Sequence, residues 1–209
     1  MNTLWTFGDS FTFGHGCRLD GPLPEYCINY KNEGDDVWPN HLGKMLNVET
    51  KNFGICGASN DTIIDTIIDN WDSFNENDFV IIGITWHSRF DLPRDGKLET
   101  IYFDWEYPEE LSFYNKEELE TILNFQYYFS NNKLYKTRHL KRLYFFDKIL
   151  KEKKINTFLW DVNFYQHTTR FEKIADCTSP KMNDYHFSFK GHKDFANMLY
   201  KKLINPTLI

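Results

Sequence analysis

Residues 3–10 read TLWTFGDS, and this stretch decides the fold. Its apolar part predicts a buried strand over 3–8, and the small and polar residues that follow take the chain out of the sheet at Ser10. A second apolar run, FVIIGI at 79–84, is the clearest buried strand of the chain. Helix-like periodicity lies between the two runs. This alternation of strand and helix predicts a parallel sheet covered by helices.

The same alternation continues along most of the chain, and residues 90–130 interrupt it. They are rich in aromatic and acidic residues and show no clear periodicity before a helix-like stretch at 116–129. We therefore expect one domain over residues 1–209, with an insertion at about 90–130. The other predicted elements are strands at 48–53 and 156–160 and helices at 38–46, 60–71, 134–153 and 191–203.

Composition excludes several classes of function. The net charge is −6 and the lysines are scattered, which disfavours nucleic-acid binding. No apolar run has membrane-spanning length, and the N-terminus lacks the features of a signal peptide, so we expect a cytoplasmic protein that does not bind membranes. The four cysteines form no C-x-x-C pair, which predicts reduced thiols and no metal site. No motif indicates a cofactor.

Two segments could carry chemistry. Ser10 follows the first strand and would present its hydroxyl at the carboxyl edge of the sheet, although a serine after Gly-Asp is also a common turn former or helix cap. In the segment Asp184-Tyr185-His186, a carboxylate lies two residues from an imidazole and could orient it. Taken together, the two segments predict a nucleophile and a base that meet above a parallel sheet.

Three blocks of sequence, in this order, resemble the SGNH/GDSL hydrolases, which include esterases, lipases, carbohydrate deacetylases and some acyltransferases. They are GDSFTFG at 8–14, NFGICGASN at 52–60, and DYH at 184–186 followed by Gly191-His192. The resemblance implies a flavodoxin-like three-layer α/β/α sandwich with a central parallel sheet. It also implies acyl transfer to water through an acyl-serine.

The resemblance assigns roles to four residues. Ser10 would be the nucleophile, His186 its general base and Asp184 the partner that orients His186. In the family, the aspartate usually lies three residues before the histidine, and this chain has Asn183 at that position. Asp184 lies two residues before His186, and because a loop can absorb one residue, Asp184 is assigned the role of the partner. The backbone N–H groups of Ser10 and Gly57 would stabilise the oxyanion. Without the family, Gly57 would be read as an ordinary turn glycine.

The third block departs from the family, whose pattern there is usually Gly-x-Asn-Asp. This chain has GITWHSR at 83–89, so Thr85 stands where the family carries asparagine, and its hydroxyl is predicted to be the third oxyanion donor. Four neighbours of the catalytic edge are predicted to bind substrate: Asp9, Trp86, His87 and Arg89. For Arg89, the alternatives are a substrate carboxylate or phosphate and a salt bridge within the fold.

The predicted function is hydrolysis of short acyl esters, with O-acetylated carbohydrate as the favoured substrate. The alternatives are an acyltransferase that uses the same site and a non-catalytic carbohydrate-binding module. The aromatic residues of the insertion would either form a partial lid that sets substrate choice or pack on the flank of the sheet. These residues are Tyr102, Phe103, Trp105, Tyr107, Phe113 and Tyr114.

Overall fold

A parallel β-sheet forms the centre of the structure. The computed structural model describes residues 2–14, 36–86, 89–94, 97–102, 114–129, 133–161, 172–173, 187 and 189–204. In chain order the elements are β1 (Thr3–Gly8), α1 (Ser10–Phe13), α2 (Trp38–Leu46), β2 (Glu49–Gly54), α3 (Asn60–Asp69), a 3₁₀ turn (Trp71–Ser73), β3 (Phe79–Ile84), β4 (Arg89–Arg94), β5 (Lys97–Tyr102), α4 (Lys116–Phe129), α5 (Lys133–Glu152), β6 (Asn156–Asp161), β7 (Glu172–Lys173) and α6 (Phe189–Ile204).

The sheet has the strand order β2-β1-β3-β6-β7, and all neighbouring strands run parallel. This is the order of flavodoxin-like, doubly wound folds, in which the residues that carry chemistry collect at the carboxyl ends of the strands. β1 lies between β2 and β3, so the end of β1 is flanked on both sides by strand ends. The turn at Asp9 and Ser10 therefore lies between the carboxyl ends of β2 and β3.

Helices cover both faces of the sheet. Because side chains alternate along a strand, β1 contributes Trp5 and Phe7 to one face and Leu4 to the other. The first face packs against apolar residues of α3 and α5, and the second against those of α1, α2 and α6. The predicted three-layer α/β/α sandwich is therefore confirmed. None of the helices among the described residues combines the length and the apolar character needed to cross a membrane.

A buried carboxylate stabilises the amino-terminal end of the sheet, where β1 and β3 begin. Asp78 is fully buried and accepts hydrogen bonds from the Thr3 N–H at 2.8 Å, the Trp5 Nε1 at 3.0 Å and the Asn75 N–H at 3.0 Å. Hydrogen bonds to a charged acceptor are stronger than neutral ones, and together they compensate for the burial of the charge.

Part of the predicted insertion forms a β-hairpin, which the sequence analysis did not predict. β4 pairs with β5 antiparallel, and the pair forms a separate two-stranded sheet. Phe90 and Ile101 on the hairpin pack with Ile122 on α4 in a small apolar cluster of their own. Arg89 is the first residue of β4, so the hairpin starts at the carboxyl edge of the central sheet.

Candidate active site

The turn after β1 is shaped by its capping residues. Asp9 is the N-cap of α1, and its Oδ1 accepts a hydrogen bond from the Phe11 N–H at 3.1 Å. Ser10 is the first residue of this four-residue helix, and it is 6% exposed. Gly14 closes the helix in the left-handed conformation with φ 93°. Ser10 thus lies on a short helix that is capped at both ends, at the carboxyl end of β1.

The loop after β2 lies directly beside this turn. Gly8 and Gly54 are paired in register, and the Ile55 N–H donates to the Gly8 carbonyl at 3.0 Å. A Cβ on Gly54 would come within 2.2 Å of the Phe13 nitrogen, so only glycine lets α1 lie this close to β2. Gly57 has φ 79°, a conformation that favours glycine. Its N–H donates to no atom of the described residues.

Asp9, Thr85 and Arg89 form a buried polar network at this edge. Oδ2 of Asp9 accepts from the Thr85 hydroxyl at 2.7 Å and from Nη1 of Arg89 at 3.0 Å. The same Nη1 donates to the Thr85 hydroxyl at 2.6 Å and to the Ala58 carbonyl at 3.3 Å. Asp9 is 1% exposed and the Arg89 side chain 11%. Arg89 therefore makes the salt bridge within the fold that was one of its two predicted roles.

This network gives Thr85 a different contact from the one expected. A carboxylate only accepts hydrogen bonds, so the Thr85 hydroxyl is the donor to Asp9. Its proton is therefore directed at Asp9 in this arrangement. Asp9 in turn is occupied by α1, Thr85 and Arg89, and these contacts are those of a residue that organises the turn. Substrate binding by Asp9 stays a prediction, as does donation of a hydrogen bond to the oxyanion by Thr85. Either role would require that the hydrogen bonds of this network are broken.

Asn60 also lies at this edge, although the sequence analysis named it only as the last residue of the block NFGICGASN and gave it no role. Its Nδ2 donates to the Thr85 carbonyl at 3.0 Å, and its Oδ1 accepts from the Thr85 N–H at 3.0 Å. Ser59 is the residue that caps α3, and its hydroxyl accepts from the Thr62 N–H at 3.0 Å. The side-chain amide of Asn60 thus pairs with the backbone N–H and C=O of Thr85, as a neighbouring strand would, just after β3 ends. A buried polar residue in the first turn of an otherwise apolar helix face could have indicated this role.

Trp86 and Phe11 form an aromatic wall at the same edge. The Arg89 guanidinium lies over the Trp86 ring, 4.7 Å from its centroid, and Trp86 lies 6.1 Å from the Phe11 ring. Phe11 in turn packs edge-on against Phe187, with ring centroids 5.3 Å apart. Phe11 follows Ser10 in the sequence, and Phe187 follows His186. The direct neighbours of the two predicted catalytic residues are therefore in contact.

α6 is also connected to the turn at Ser10, through α2. Nδ1 of the buried His192 accepts a hydrogen bond from the Trp38 N–H at 3.1 Å. The Trp38 indole Nε1 donates to the Phe11 carbonyl at 3.0 Å. His192 thus supplies the first turn of α2 with the acceptor that its N-cap, Val37, does not provide. This contact gives His192 a structural role between α6 and α2.

Several predicted residues lie outside the described residues. They include Asp184, His186 and His87, together with Phe103, Trp105, Tyr107 and Phe113 of the predicted lid. Among the predicted site residues that are described, Ser10, Asp9, Thr85, Trp86 and Arg89 lie together at the carboxyl edge of the sheet, with Gly57 on the adjoining loop. Tyr114 is partly buried against the hairpin cluster.

Comparison with solved structures shows which fold this is. The chain is similar to an acetyl xylan esterase from the rumen bacterium Butyrivibrio proteoclasticus, with a TM-score of 0.50 and 12% identity over 99% of this chain and 64% of that one. It thus spans less than two thirds of that esterase. The fold is that of the SGNH hydrolases. No protein-family model and no curated protein matches the sequence of this SGNH-fold chain.

Two further solved structures are similar to this SGNH-fold chain over nearly their whole length. One is a protein described as lipolytic, of the G-D-S-L family, from Desulfitobacterium hafniense. It is 14% identical over 96% of this chain and 99% of that one, with a TM-score of 0.39. The other is an aryl esterase from M. smegmatis, 11% identical over 98% of this chain and 99% of that one, with a TM-score of 0.43.

Proposed function

We propose that this chain is a serine esterase that cleaves short acyl esters through an acyl-serine intermediate. The observation that carries the proposal is the contact between Phe11 and Phe187, because it joins the chain next to Ser10 to the chain next to His186. The position of Ser10 at the carboxyl edge of a flavodoxin-like sheet supports it further. An esterase of acetylated xylan has the same fold, which favours O-acetylated carbohydrate as the substrate.

In this mechanism His186 takes the proton of the Ser10 hydroxyl as Ser10 Oγ attacks the ester carbonyl carbon. The N–H groups of Ser10 and Gly57 stabilise the negative charge that develops on the carbonyl oxygen. The carbon–oxygen bond to the alcohol then breaks, and the alcohol leaves with the proton from His186. Water, deprotonated by His186, releases the acid and restores Ser10. Asp184 keeps His186 in the orientation that accepts the serine proton.

The experiment combines covalent labelling with turnover. The wild-type protein is incubated with a fluorophosphonate, and the labelled peptide is located by mass spectrometry, while p-nitrophenyl acetate hydrolysis is followed in parallel. We expect the label on Ser10, and Ser10→Ala should lose both labelling and at least about 10³-fold in kcat. Ser73→Ala, which changes an exposed serine in the 3₁₀ turn after α3, is the matched control and should behave as wild type. Undiminished hydrolysis by Ser10→Ala would exclude this mechanism.

A further inference from the structure

Arg89 is placed where the three loops of the candidate site meet. Its Nη1 reaches Asp9 on the loop after β1, the Ala58 carbonyl on the loop after β2, and Thr85 on the loop after β3. Ala58 directly follows Gly57, and Asp9 directly precedes Ser10. Each contact is thus made to a residue at, or next to, one of the predicted oxyanion donors.

The guanidinium is itself held rigidly. It stacks on the Trp86 ring, and the Arg89 N–H donates to the Trp86 carbonyl at 3.2 Å. β4 begins at Arg89, so the backbone of this residue is also fixed by pairing with Tyr102 on β5. The guanidinium presents its donors in a rigid, planar fork, whereas the three donors of a lysine ammonium lie on a flexible stem and are directed less strictly.

The charge of Arg89 is balanced within the protein. Asp9 carries the opposite charge, is buried, and lies 3.0 Å from Nη1. An anionic group on a substrate would have to compete with this buried carboxylate, so the arrangement disfavours recognition of a substrate carboxylate or phosphate. The contacts instead suit a residue that keeps the surrounding backbone in one arrangement.

We propose that Arg89 is a positioning residue of the oxyanion site, which holds the Ser10 and Gly57 N–H groups in the directions that the reaction requires. This inference rests on the proposed esterase function. Arg89 acts through Asp9 on the turn that carries Ser10, and through the Ala58 carbonyl on the peptide that follows Gly57. It also accounts for the Thr85 hydroxyl, which completes the contact between the guanidinium and Asp9.

The test compares Arg89→Ala, Arg89→Lys and wild type in p-nitrophenyl acetate hydrolysis. A shift of catalytic groups by about 1 Å costs on the order of 10²-fold in rate. We therefore expect kcat to fall about 10²-fold in Arg89→Ala and about tenfold in Arg89→Lys, with KM within about threefold of wild type. Guanidinium ion at millimolar concentration should restore part of the kcat of Arg89→Ala, and ammonium should not. A residue that only stabilises the fold would not produce this selective rescue.

Two further sets of variants keep the test decisive. Arg142→Ala removes the same side chain from a more exposed ion pair with Asp61, at 2.8 Å between α5 and α3, and should leave kcat unchanged. If Arg89→Ala fails to fold because Asp9 is left buried and unpaired, the variant Asp9→Asn with Arg89→Gln removes both charges. This double variant should also lose about 10²-fold in kcat. Thr85→Val should lose less, since Nη1 still reaches Asp9 and Ala58.

The outcomes separate this inference from the proposed function. An active wild-type protein labelled at Ser10, with a folded Arg89→Ala or double variant of undiminished kcat, overturns the role of Arg89 alone. A loss of kcat without any rescue by guanidinium also overturns it. A wild-type protein that neither hydrolyses esters nor is labelled at Ser10 overturns the proposed function, and the role of Arg89 with it.

Discussion

Gly54→Ala should move the turn that carries Ser10. A Cβ at this position would lie 2.2 Å from the Phe13 nitrogen and 2.6 Å from the Thr12 carbonyl carbon, whereas ordinary contact begins at 3.4 Å. Both atoms belong to the backbone of α1, so no side-chain rotation can relieve the overlap. α1 must therefore shift by about 1 Å relative to β2.

The magnitude follows from this displacement. Overpacking of this kind destabilises by about 1–3 kcal/mol, and alanine offsets up to about 1 kcal/mol because it restricts the unfolded chain. The free energy of unfolding in urea should therefore fall by about 1–2 kcal/mol. A misplacement of about 1 Å lowers the rate by on the order of 10²-fold, so kcat/KM for p-nitrophenyl acetate should fall by about that factor.

Gly43→Ala is the matched control. Its Cβ would meet the Thr50 hydroxyl at 1.8 Å and the Thr50 Cβ at 3.2 Å, and the hydroxyl is on a side chain that can rotate. Gly43 lies within α2, where alanine is favoured over glycine by about 1 kcal/mol, which offsets the remaining overlap. We expect unchanged activity. A Gly54→Ala protein with wild-type kcat/KM would refute the reasoning, as would an equal loss of activity in Gly43→Ala.

Two further predictions concern stability. Asp78→Asn should lower the free energy of unfolding by about 2–3 kcal/mol, because three N–H groups, two of them in buried contacts, lose a charged acceptor. It should leave kcat unchanged, because Asp78 lies at the end of the sheet where β1 and β3 begin. A shift in the urea midpoint no larger than that of an exposed-site variant would contradict it. Burial lowers the pKa of His139 below its ordinary value of 6.5, and the Asp61 carboxylate opposes this shift only in part. The stability that neutral His139 confers is therefore complete above pH 6.5, the pKa in the unfolded chain. It is lost as the pH falls through the lower pKa of the folded protein. His139→Gln should therefore lose less stability than wild type between pH 7.5 and 5. Equal falls in the free energy of unfolding in urea over this pH range would count against the prediction.

The central sheet could be predicted because each of its elements carries a local signal. The apolar run at 79–84 gave both bounds of β3, and the spacing of apolar residues gave both bounds of α2 at 38–46. The bounds of β2 and α5 were each displaced by one residue at both ends, since the ends of elements depend on caps and contacts made elsewhere. The order of these elements predicted the parallel sheet, and the resemblance to the SGNH/GDSL hydrolases implied its flavodoxin-like arrangement.

The hairpin was missed although the sequence contains a signal for it. Asp95-Gly96 separates β4 from β5, and such a pair is typical of two-residue hairpin loops. Pro93 and the charged residues on both strands obscure the alternation of apolar and polar positions. The apolar side chains that do alternate, such as Phe90 and Ile101, are buried by α4, whose packing on the hairpin no local pattern specifies.

The polar network was beyond sequence reasoning for a different reason. Asp9 and Arg89 are 80 residues apart, and either could equally have faced solvent or substrate. Only the neighbouring positions of β1 and β3 in the sheet bring their side chains together. The motif thus predicted where the site lies, whereas the pairing of charges within it depends on the tertiary structure.

The hydrogen bonds that run from His192 through Trp38 to Phe11 have a consequence for the order of folding. α1 has four residues, too few for a helix that is stable alone in water, so its geometry depends on contacts from the rest of the chain. His192 lies 154 residues after Trp38, and closing so long a loop is slow. During synthesis, β1 to β3 are complete long before α6 emerges. We therefore expect the turn at Ser10 to reach its final form only after α6 has docked on α2.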